Sequence, residues 1–292
     1  MYDTIYLPND GSDPAEAATT CGIELARRFD AAVSVVHVLE ADVPPMIDVE
    51  PPEDPGREAL DEEPRQALER AETQAADADV PCRTAVEPGR PHERIVERAA
   101  ESDADLIVMG THGRTGLERL LIGSVTERVL RTSDVPVLTT RADGTSAFDA
   151  VLVPTDGSDC AARATDHALA IADRYDATVH ALSVVDVQSI AGAYHGGTVS
   201  AEFIDSLSRE RQEAADAVAE QARERGVDVE TTVLEGSPGR TITDYADEHG
   251  IDLVSMGTHG RSGVSRYLLG SVTERVLRTF PGPVLTAPPD TD

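Results

Sequence analysis

An internal repeat is the feature that most constrains how this chain can fold. Residues 110–138 and 257–285 are identical at 21 of 29 positions without a gap. Each copy begins Gly-Thr-His-Gly-Arg, reaches the run Gly-Ser-Val-Thr-Glu-Arg-Val-Leu-Arg-Thr, and is followed by Pro-Val-Leu-Thr. A second pair of matching segments lies earlier, at residues 4–13 and 150–159. The chain is therefore built from two copies of one unit.

The two copies predict two domains. A chain of 292 residues is long enough for two domains of ordinary size. Between the copies, residues 141–148 include Gly and Ser and are typical of a linker. We expect one domain at residues 1–142 and a second at residues 146–292.

Within each copy, short apolar segments alternate with helical patterns. A helix is predicted after the first strand, because Asp13-Pro-Ala-Glu16 resembles a capping box and Ala17, Cys21, Leu25 and Phe29 have helical spacing. Residues 40–57 and 186–200 are predicted to be loops. Five strands and four helices per copy predict an α/β fold, with two tandem doubly wound domains. Each would be a five-stranded parallel sheet of order 3-2-1-4-5 with helices on both faces.

Such sheets bind ligands where the strand order reverses, outside the carboxyl ends of the strands. In the predicted order this point lies between the first and fourth strands. In the first copy these strands end at Asp10 and at Met109-Gly110. Their counterparts in the second copy are Asp156 and Met256-Gly257. Two motifs that are far apart in the sequence should therefore meet at one crevice.

The loop after the fourth strand has the composition of an anion site. Gly110 and Gly113 would let backbone amides approach an anion without an intervening Cβ. Gly123-Ser124 would then open a helix whose amides and dipole favour phosphate. Asp10 could accept hydrogen bonds from a ribose or adenine, or hold a metal through water.

Each of these residues also has a local interpretation. Ser124 and Ser271 are each followed three positions later by Glu, which is a complete capping box. The glycines could simply end a strand, and the Asp-Gly pairs could be plain turns. The loop residues His112, His259, Arg114 and Arg261 could contact phosphate or lie exposed in the turn. The convergence of the motifs and their repetition favour a nucleotide site.

Composition limits the classes of partner. The net charge is −29, and all 25 cationic residues are Arg. The excess is even, with −15 on residues 1–142 and −13 on residues 146–292. Such a surface should repel nucleic acid and anionic membranes, so neither is expected as a partner. An acidic surface of halophilic type, adapted to a salt-rich cytoplasm, is the interpretation we favour.

Other sequence features point away from a membrane protein and from fast catalysis. No apolar run approaches the ~20 residues of a membrane span and no signal pattern begins the chain, so a cytoplasmic protein is expected. The three cysteines are scattered and predict small buried side chains rather than metal ligands. The chain has no phosphate loop ending in Gly-Lys-Ser/Thr and no Lys at all. No catalytic residue and no protein metal ligand is assigned.

The complete arrangement resembles the universal stress protein family. The signature Gly-x2-Gly-x9-Gly-Ser is intact in both copies, as is the early Pro-x-Asp-Gly-Ser. The resemblance covers the whole chain as two tandem domains and implies the ATP-binding class of the family. It implies that Asp10 and Val38 contact adenine or ribose, that Met109, Gly110 and Gly113 line ribose and phosphates, and that Gly123, Ser124 and Val125 hold the triphosphate. The same transfer in the second copy gives Asp156, Val184, Met256, Gly257, Gly260, Gly270, Ser271 and Val272.

The resemblance also implies a cofactor and an assembly. ATP would bind together with a divalent ion such as Mg²⁺ or Mn²⁺. The two copies would pair through their last strands as an internal pseudo-dimer, and association of whole chains into a homo-oligomer is left open. The implied function is a nucleotide-dependent stress or signalling module. A slow ATPase or phosphotransferase and a nucleotide-free scaffold are the alternatives.

Overall fold

The computed structural model describes residues 1–40, 62–111, 122–186, 201–260 and 269–289. Its contacts divide the chain into two units, Met1–Ser146 and Ala147–Asp292. The predicted loops at 40–57 and 186–200 lie almost entirely outside the described residues. Among the helices that are described, none is both long enough and apolar enough to cross a membrane.

Strands and helices alternate along the first unit as the sequence pattern predicts. Its elements are β1 Thr4–Pro8, α1 Asp13–Phe29, β2 Ala32–Glu40, α2 Glu62–Asp77, β3 Cys82–Gly89, α3 Pro91–Glu101, β4 Leu106–Gly110, α4 Ser124–Thr132 and β5 Val137–Thr140.

The second unit repeats this succession. Its elements are β6 Ala150–Pro154, α5 Asp159–Tyr175, β7 Thr178–Val185, α6 Ala201–Glu224, β8 Val229–Glu235, α7 Pro238–Glu248, β9 Leu253–Gly257, α8 Ser271–Thr279 and β10 Val284–Ala287.

Within each unit the strands are parallel and follow the predicted order. In the first unit the order is β3-β2-β1-β4-β5, and in the second it is β8-β7-β6-β9-β10. Helix α1 packs against α2, and α3 packs against α4, which places one helix pair on each face of the sheet. The prediction of a doubly wound sheet is therefore confirmed. Its switch point lies between β1 and β4, and between β6 and β9.

The strands at the centre are buried because both faces are covered. Residues 5–8 of β1 and all of β4 are buried, as apolar side chains on a doubly covered parallel sheet must be. At the amino ends of β1 and β4, Asp105 Oδ2 accepts hydrogen bonds from the backbone N–H groups of Asp3 and Thr4, at 2.7 and 3.0 Å. Asp252 accepts the same pair of bonds at the start of β6.

The start of α1 differs from the predicted capping box by one residue. The N-cap is Ser12, not Asp13, and Asp13 is the first helical residue, followed by Pro14. The buried face also differs from the predicted stripe. Cys21, Leu25 and Phe29 are buried, but Ala17 is only half-buried, because the face turned to the sheet is centred on Ala18 and its helical neighbours.

Candidate functional site

The second unit contains a cavity of about 390 Å³ at the carboxyl ends of β6, β7 and β9. Its volume falls within the range of roughly 300–1,000 Å³ that is typical of small-molecule sites. The first turns of α5, α7 and α8 contribute to its wall. All eight residues predicted for this copy line it: Asp156, Val184, Met256, Gly257, Gly260, Gly270, Ser271 and Val272.

The equivalent cavity of the first unit is smaller, about 120 Å³. Five of its eight predicted residues line it: Asp10, Val38, Met109, Gly110 and Val125. Gly123 and Ser124 are described but are not among the lining residues. Gly113 lies outside the described residues, as do His112, Arg114 and Arg261, so their predicted roles stay predictions.

The Asp-Gly pair after the first strand forms a side-chain-stabilised turn in both units. Asp10 Oδ1 accepts hydrogen bonds from the Ser12 N–H at 3.0 Å and from its hydroxyl at 2.6 Å. Asp156 Oδ1 accepts the corresponding N–H bond from Ser158 at 3.0 Å. Gly11 has φ +82°, which favours glycine. One carboxylate oxygen therefore holds the turn, so the local interpretation accounts for part of this motif.

The glycine that ends the fourth strand is required by packing. A Cβ on Gly110 would lie 2.8 Å from the carbonyl carbon of Pro14 and 2.9 Å from the N of Ala15, in the first turn of α1. A Cβ on Gly257 would lie 2.6 Å from Cys160 Cβ, in the first turn of α5. These two glycines let a helix approach the end of a strand, and their presence alone does not argue for a ligand.

Gly260 is different, because it faces the side chain of Asp156. A Cβ on Gly260 would lie 2.7 Å from Asp156 Oδ2, and among the described residues it would meet only the Asp156 side chain within 4 Å. The loop after β9 and the turn after β6 therefore meet, as the predicted convergence requires. Their contact leaves a glycine backbone at the wall of the cavity.

The local interpretation of the two loop serines is wrong. Gly123 and Gly270 are the N-caps of α4 and α8, with extended backbone angles, and neither helix has a side-chain cap. Ser124 and Ser271 are instead the first helical residues, and their side chains are exposed. A capping box needs the serine at the N-cap, one residue earlier. The Ser271 hydroxyl is therefore not used for capping, and Ser271 lines the cavity.

A threonine that the sequence analysis did not single out fixes this helix to the strand end. Thr273 Oγ1 donates a hydrogen bond to the backbone oxygen of Gly257, at 2.8 Å, and Thr126 makes the same bond to Gly110. The N–H of Gly270 donates to the Thr258 oxygen at 2.8 Å. These bonds hold the first turn of α8 over the carboxyl end of β9. The repeated Gly-Ser-x-Thr pattern could have indicated this contact.

The second-unit cavity also contains an arginine that the sequence analysis missed. Arg211, from α6, lines the cavity, and its Nη1 donates a hydrogen bond to the backbone oxygen of Asp156 at 2.9 Å. Asp186, at the end of β7, is a further charged lining residue. Residues 201–225 form a long polar helix in sequence, and no local pattern distinguishes Arg211 from its neighbours.

The other reactive groups near the cavity have structural explanations. Burial raises the pKa of the Cys160 thiol, and a hydrogen bond from the His259 backbone lowers it in part. The thiol is therefore protonated near neutral pH and suits packing beside Gly257. Cys21 is buried as expected, whereas Cys82 is only half-buried. Within the described part of the chain, no cluster of three or more His, Cys, Asp or Glu side chains is arranged to hold a metal.

Comparison with known proteins gives one family. The profile described as the universal stress protein family matches residues 1–141 and again residues 147–288. A universal stress protein of Mycobacterium tuberculosis is 31% identical over 297 residues, which cover 95% of this chain and 94% of that protein. One from Methanocaldococcus jannaschii is 42% identical over 144 residues, covering 49% of this chain and 84% of that protein. The crystal structure of a universal stress protein from Archaeoglobus fulgidus superposes with a TM-score of 0.73 at 22% identity, covering 98% of each chain.

Proposed function

The chain belongs to the universal stress protein family, and on this basis we propose that each of its two units binds ATP, so that the protein acts as a nucleotide-dependent stress or signalling module. One observation carries the proposal. The eight residues that the family resemblance implies for the second copy all line one cavity, at the switch point of a doubly wound sheet.

The chemistry of the cavity fits a nucleoside triphosphate. The first amides of α8 have no partner within the helix and carry its positive dipole end, which suits phosphate oxygens. Gly260 leaves open the space that a Cβ would fill beside Asp156. The Ser271 hydroxyl adds a donor that is not used for capping. These three groups would hold the phosphates, with Gly257 and Gly270 shaping the strand and helix ends on either side.

The strand ends fit the nucleoside. Val184 and Val185 at the end of β7, with Met256 at the end of β9, supply apolar wall for an adenine ring. Asp156, which begins the turn after β6, has the chemistry to accept hydrogen bonds from ribose hydroxyls. A divalent ion bound with the nucleotide, such as Mg²⁺ or Mn²⁺, would neutralise phosphate charge. In the first unit the same roles would fall to Val38, Met109 and Asp10, with Gly123, Ser124 and Val125 beside the phosphates.

Calorimetric titration of the full chain with ATP and Mg²⁺, at working salt concentration, tests this function. Val38→Phe and Val184→Phe are a matched pair that would fill the adenine region of one unit each, at half-buried positions. We expect each variant to remove one of two binding events and the double variant to remove both. ATP binding that survives in the double variant would contradict the proposal.

These titrations, together with an assay of phosphate release from ATP, separate the alternatives. If ATP binds and phosphate release equals that of the buffer, the protein is a binding module rather than an ATPase or phosphotransferase. If the wild type binds no ATP, the remaining interpretation is a nucleotide-free scaffold. The pairing of the two units through β5 and β10 stays a prediction.

A further inference from the structure

Arg211 is placed to act on a ligand in the second-unit cavity. The residue is half-buried and lines the cavity, and its one hydrogen bond in the described structure is from Nη1 to the Asp156 oxygen. The other guanidinium N–H groups have no acceptor among the described residues. Arginine carries five such donors in a planar fork that matches phosphate oxygens.

Two other arginines, on α2 and just beyond the end of α6, form ion pairs. Arg70 of α2 pairs with Glu16 of α1 at 2.7 Å, and Arg225, just beyond α6, pairs with Asp166 of α5 at 2.5 Å. In a chain with 54 acidic residues and 25 basic ones, such pairing is easily available. Among the described residues, no carboxylate pairs with Arg211. The positive charge of Arg211 is therefore not neutralised by an ion pair with a carboxylate in the described structure.

The position of Arg211 is beside the proposed phosphate loop. Asp156 contacts both elements: its backbone oxygen accepts from Arg211, and its Oδ2 lies against Gly260. The other titratable lining residues that the structure describes are Asp156, Asp186 and His259. Carboxylates at a cavity wall repel an anionic ligand unless a cation offsets them. Among the arginines of the described chain, Arg211 is the one that lines this cavity.

The first unit has no equivalent group among its described residues. The helices α2 and α6 can be aligned by their ends, because Val80 N–H donates to Ala75 and Val227 N–H donates to Ala222. This alignment, an offset of 147, places Pro64 at the position of Arg211. The described lining of the first-unit cavity includes no arginine, and the cavity is about 120 Å³ rather than about 390 Å³.

We propose that Arg211 binds a phosphate group of the nucleotide in the second unit, and that it makes the two sites unequal, with the second unit binding ATP more tightly. The inference rests on the proposed function. It adds a specificity residue that discriminates nucleotide from nucleoside. It also predicts ordered filling, so that at low ATP concentration the chain carries one nucleotide, held by the second unit.

The test measures ATP and adenosine binding to the full chain by calorimetry at one fixed salt concentration. The Val38→Phe background leaves the second-unit site for measurement, and the Val184→Phe background leaves the first. Arg211→Gln removes the charge in each background. Arg209→Gln is the matched control, because Arg209 is exposed on the same helix and, within the described part of the chain, donates to the backbone oxygen of Asp205 alone.

In the Val38→Phe background we expect Arg211→Gln to raise the Kd for ATP about 10- to 100-fold, the usual effect of losing a hydrogen bond to a charged group. The Kd for adenosine should change by less than about 3-fold, because adenosine has no phosphate. Arg209→Gln should change neither. In the Val184→Phe background, Arg211→Gln should leave ATP binding unchanged.

Three results would overturn the inference while leaving the proposed function intact. An unchanged Kd for ATP would show that Arg211 does not contact the ligand. An equal loss for ATP and adenosine would show that it acts only by positioning Asp156. A first-unit site that binds ATP as tightly as the second would remove the asymmetry. Absence of any ATP binding to the wild type is a different outcome, which removes the proposed function and this inference together.

Discussion

Gly260 lies against Asp156, so closely that a Cβ on the glycine would be 2.7 Å from the carboxylate Oδ2. The turn that follows the first strand of the unit and the loop that follows its fourth strand therefore form one wall. The contact depends on the absence of a side chain at Gly260. It connects the two sequence motifs whose convergence the fold predicts.

Gly260→Val should abolish ATP binding by the second unit while the fold is retained. Among the described residues the Cβ of the new side chain would meet only the side chain of Asp156, which can move at the cost of its hydrogen bond from the Ser158 N–H. The new side chain would also fill the space proposed for phosphate. Calorimetry in the Val38→Phe background measures the affinity, and urea unfolding measures stability. We expect the Kd for ATP to rise at least about 30-fold, with a stability change within about 1 kcal/mol.

Gly257→Ala is the contrasting control for that variant. Its Cβ would be 2.9 Å from the carbonyl carbon of Cys160, which is a backbone atom and cannot rotate away. The expected cost is about 1–3 kcal/mol in the free energy of unfolding. If Gly260→Val unfolds the protein as readily as Gly257→Ala, the glycine of the loop is structural and the ligand argument loses its support.

Ser271→Ala should reduce ATP affinity without weakening the helix. Ser271 is the first residue of α8 rather than its N-cap, so no capping bond is lost. We expect the free energy of unfolding to stay within about 0.5 kcal/mol of the wild type, and the Kd for ATP to rise roughly 5-fold from the loss of one neutral hydrogen bond. A loss of about 1 kcal/mol or more in stability, with unchanged ATP affinity, would restore the capping interpretation.

Asp252→Ala should destabilise the second unit and leave ATP binding unchanged. The Asp252 carboxylate accepts two backbone N–H bonds, from Asp149 and Ala150, at the amino ends of the strands, away from the cavity at their carboxyl ends. Loss of this acceptor should cost about 2 kcal/mol in the free energy of unfolding. Asp252→Asn, which keeps one acceptor oxygen, should cost less. A lowered ATP affinity at unchanged stability would contradict this assignment.

Stability of the second unit should fall in mild acid because of His180. Burial lowers the pKa of this histidine, with Glu230 raising it and His249 lowering it in smaller measure. Its Nδ1 lies 3.1 Å from the Tyr245 hydroxyl and 3.8 Å from Glu230 Oε2, and the His249 ring is 5.8 Å away. The neutral form is thus favoured in the folded protein.

The direction of this pH effect on the free energy of unfolding follows from proton linkage. A lowered folded pKa means that the unfolded chain binds the proton more readily, so the stabilisation is present above the unfolded pKa of ~6.5 and is lost as pH falls through the folded value. His180→Ser tests this, because the first copy has Ser34 at the same position. Urea unfolding at pH 7.5 and pH 5.5 should show that the variant loses less stability in acid than the wild type does. An identical loss would exclude His180 as the source.

Thermal stability should rise with KCl. A net charge of −29 spread over both units causes self-repulsion that salt screens, with a Debye length near ~3 Å at 1 M. Melting temperatures measured at low salt and at molar KCl test the prediction of salt adaptation. Equal melting temperatures under the two conditions would contradict it.

Much of the fold follows from local sequence because the repeat supplies each signal twice. The helix expected at residues 124–132 is observed at Ser124–Thr132, and the sheet order follows from alternating strands with right-handed crossovers. The predicted capping residues are wrong by one position. A Ser-x-x-Glu pattern is compatible with the serine either at the N-cap or at the first helical position. In both helices the preceding glycine occupies the N-cap, so the serine is the first helical residue.

Residues of the candidate site can be predicted from the sequence where strand ends place them. They cannot be predicted where the packing of side chains between distant elements places them. Strand ends fix the positions of Asp156 and Met256, because the carboxyl ends of neighbouring parallel strands lie at the same end of the sheet. Val184 has no local motif and is implied only by the family resemblance. Arg211 enters the cavity from a helix whose rotation about its axis depends on side chains packed beneath it, and no spacing rule reveals that rotation. The close approach that Gly257 serves is likewise a contact between distant elements.

A crystal structure of the full chain grown with ATP and Mg²⁺ tests the central claim most directly. We predict a triphosphate in the second-unit cavity against the backbone of Gly260 and the first turn of α8, with the Ser271 hydroxyl and the Arg211 guanidinium within hydrogen-bond distance of phosphate oxygens. A nucleotide bound elsewhere on a chain whose second-unit cavity stays empty would contradict it.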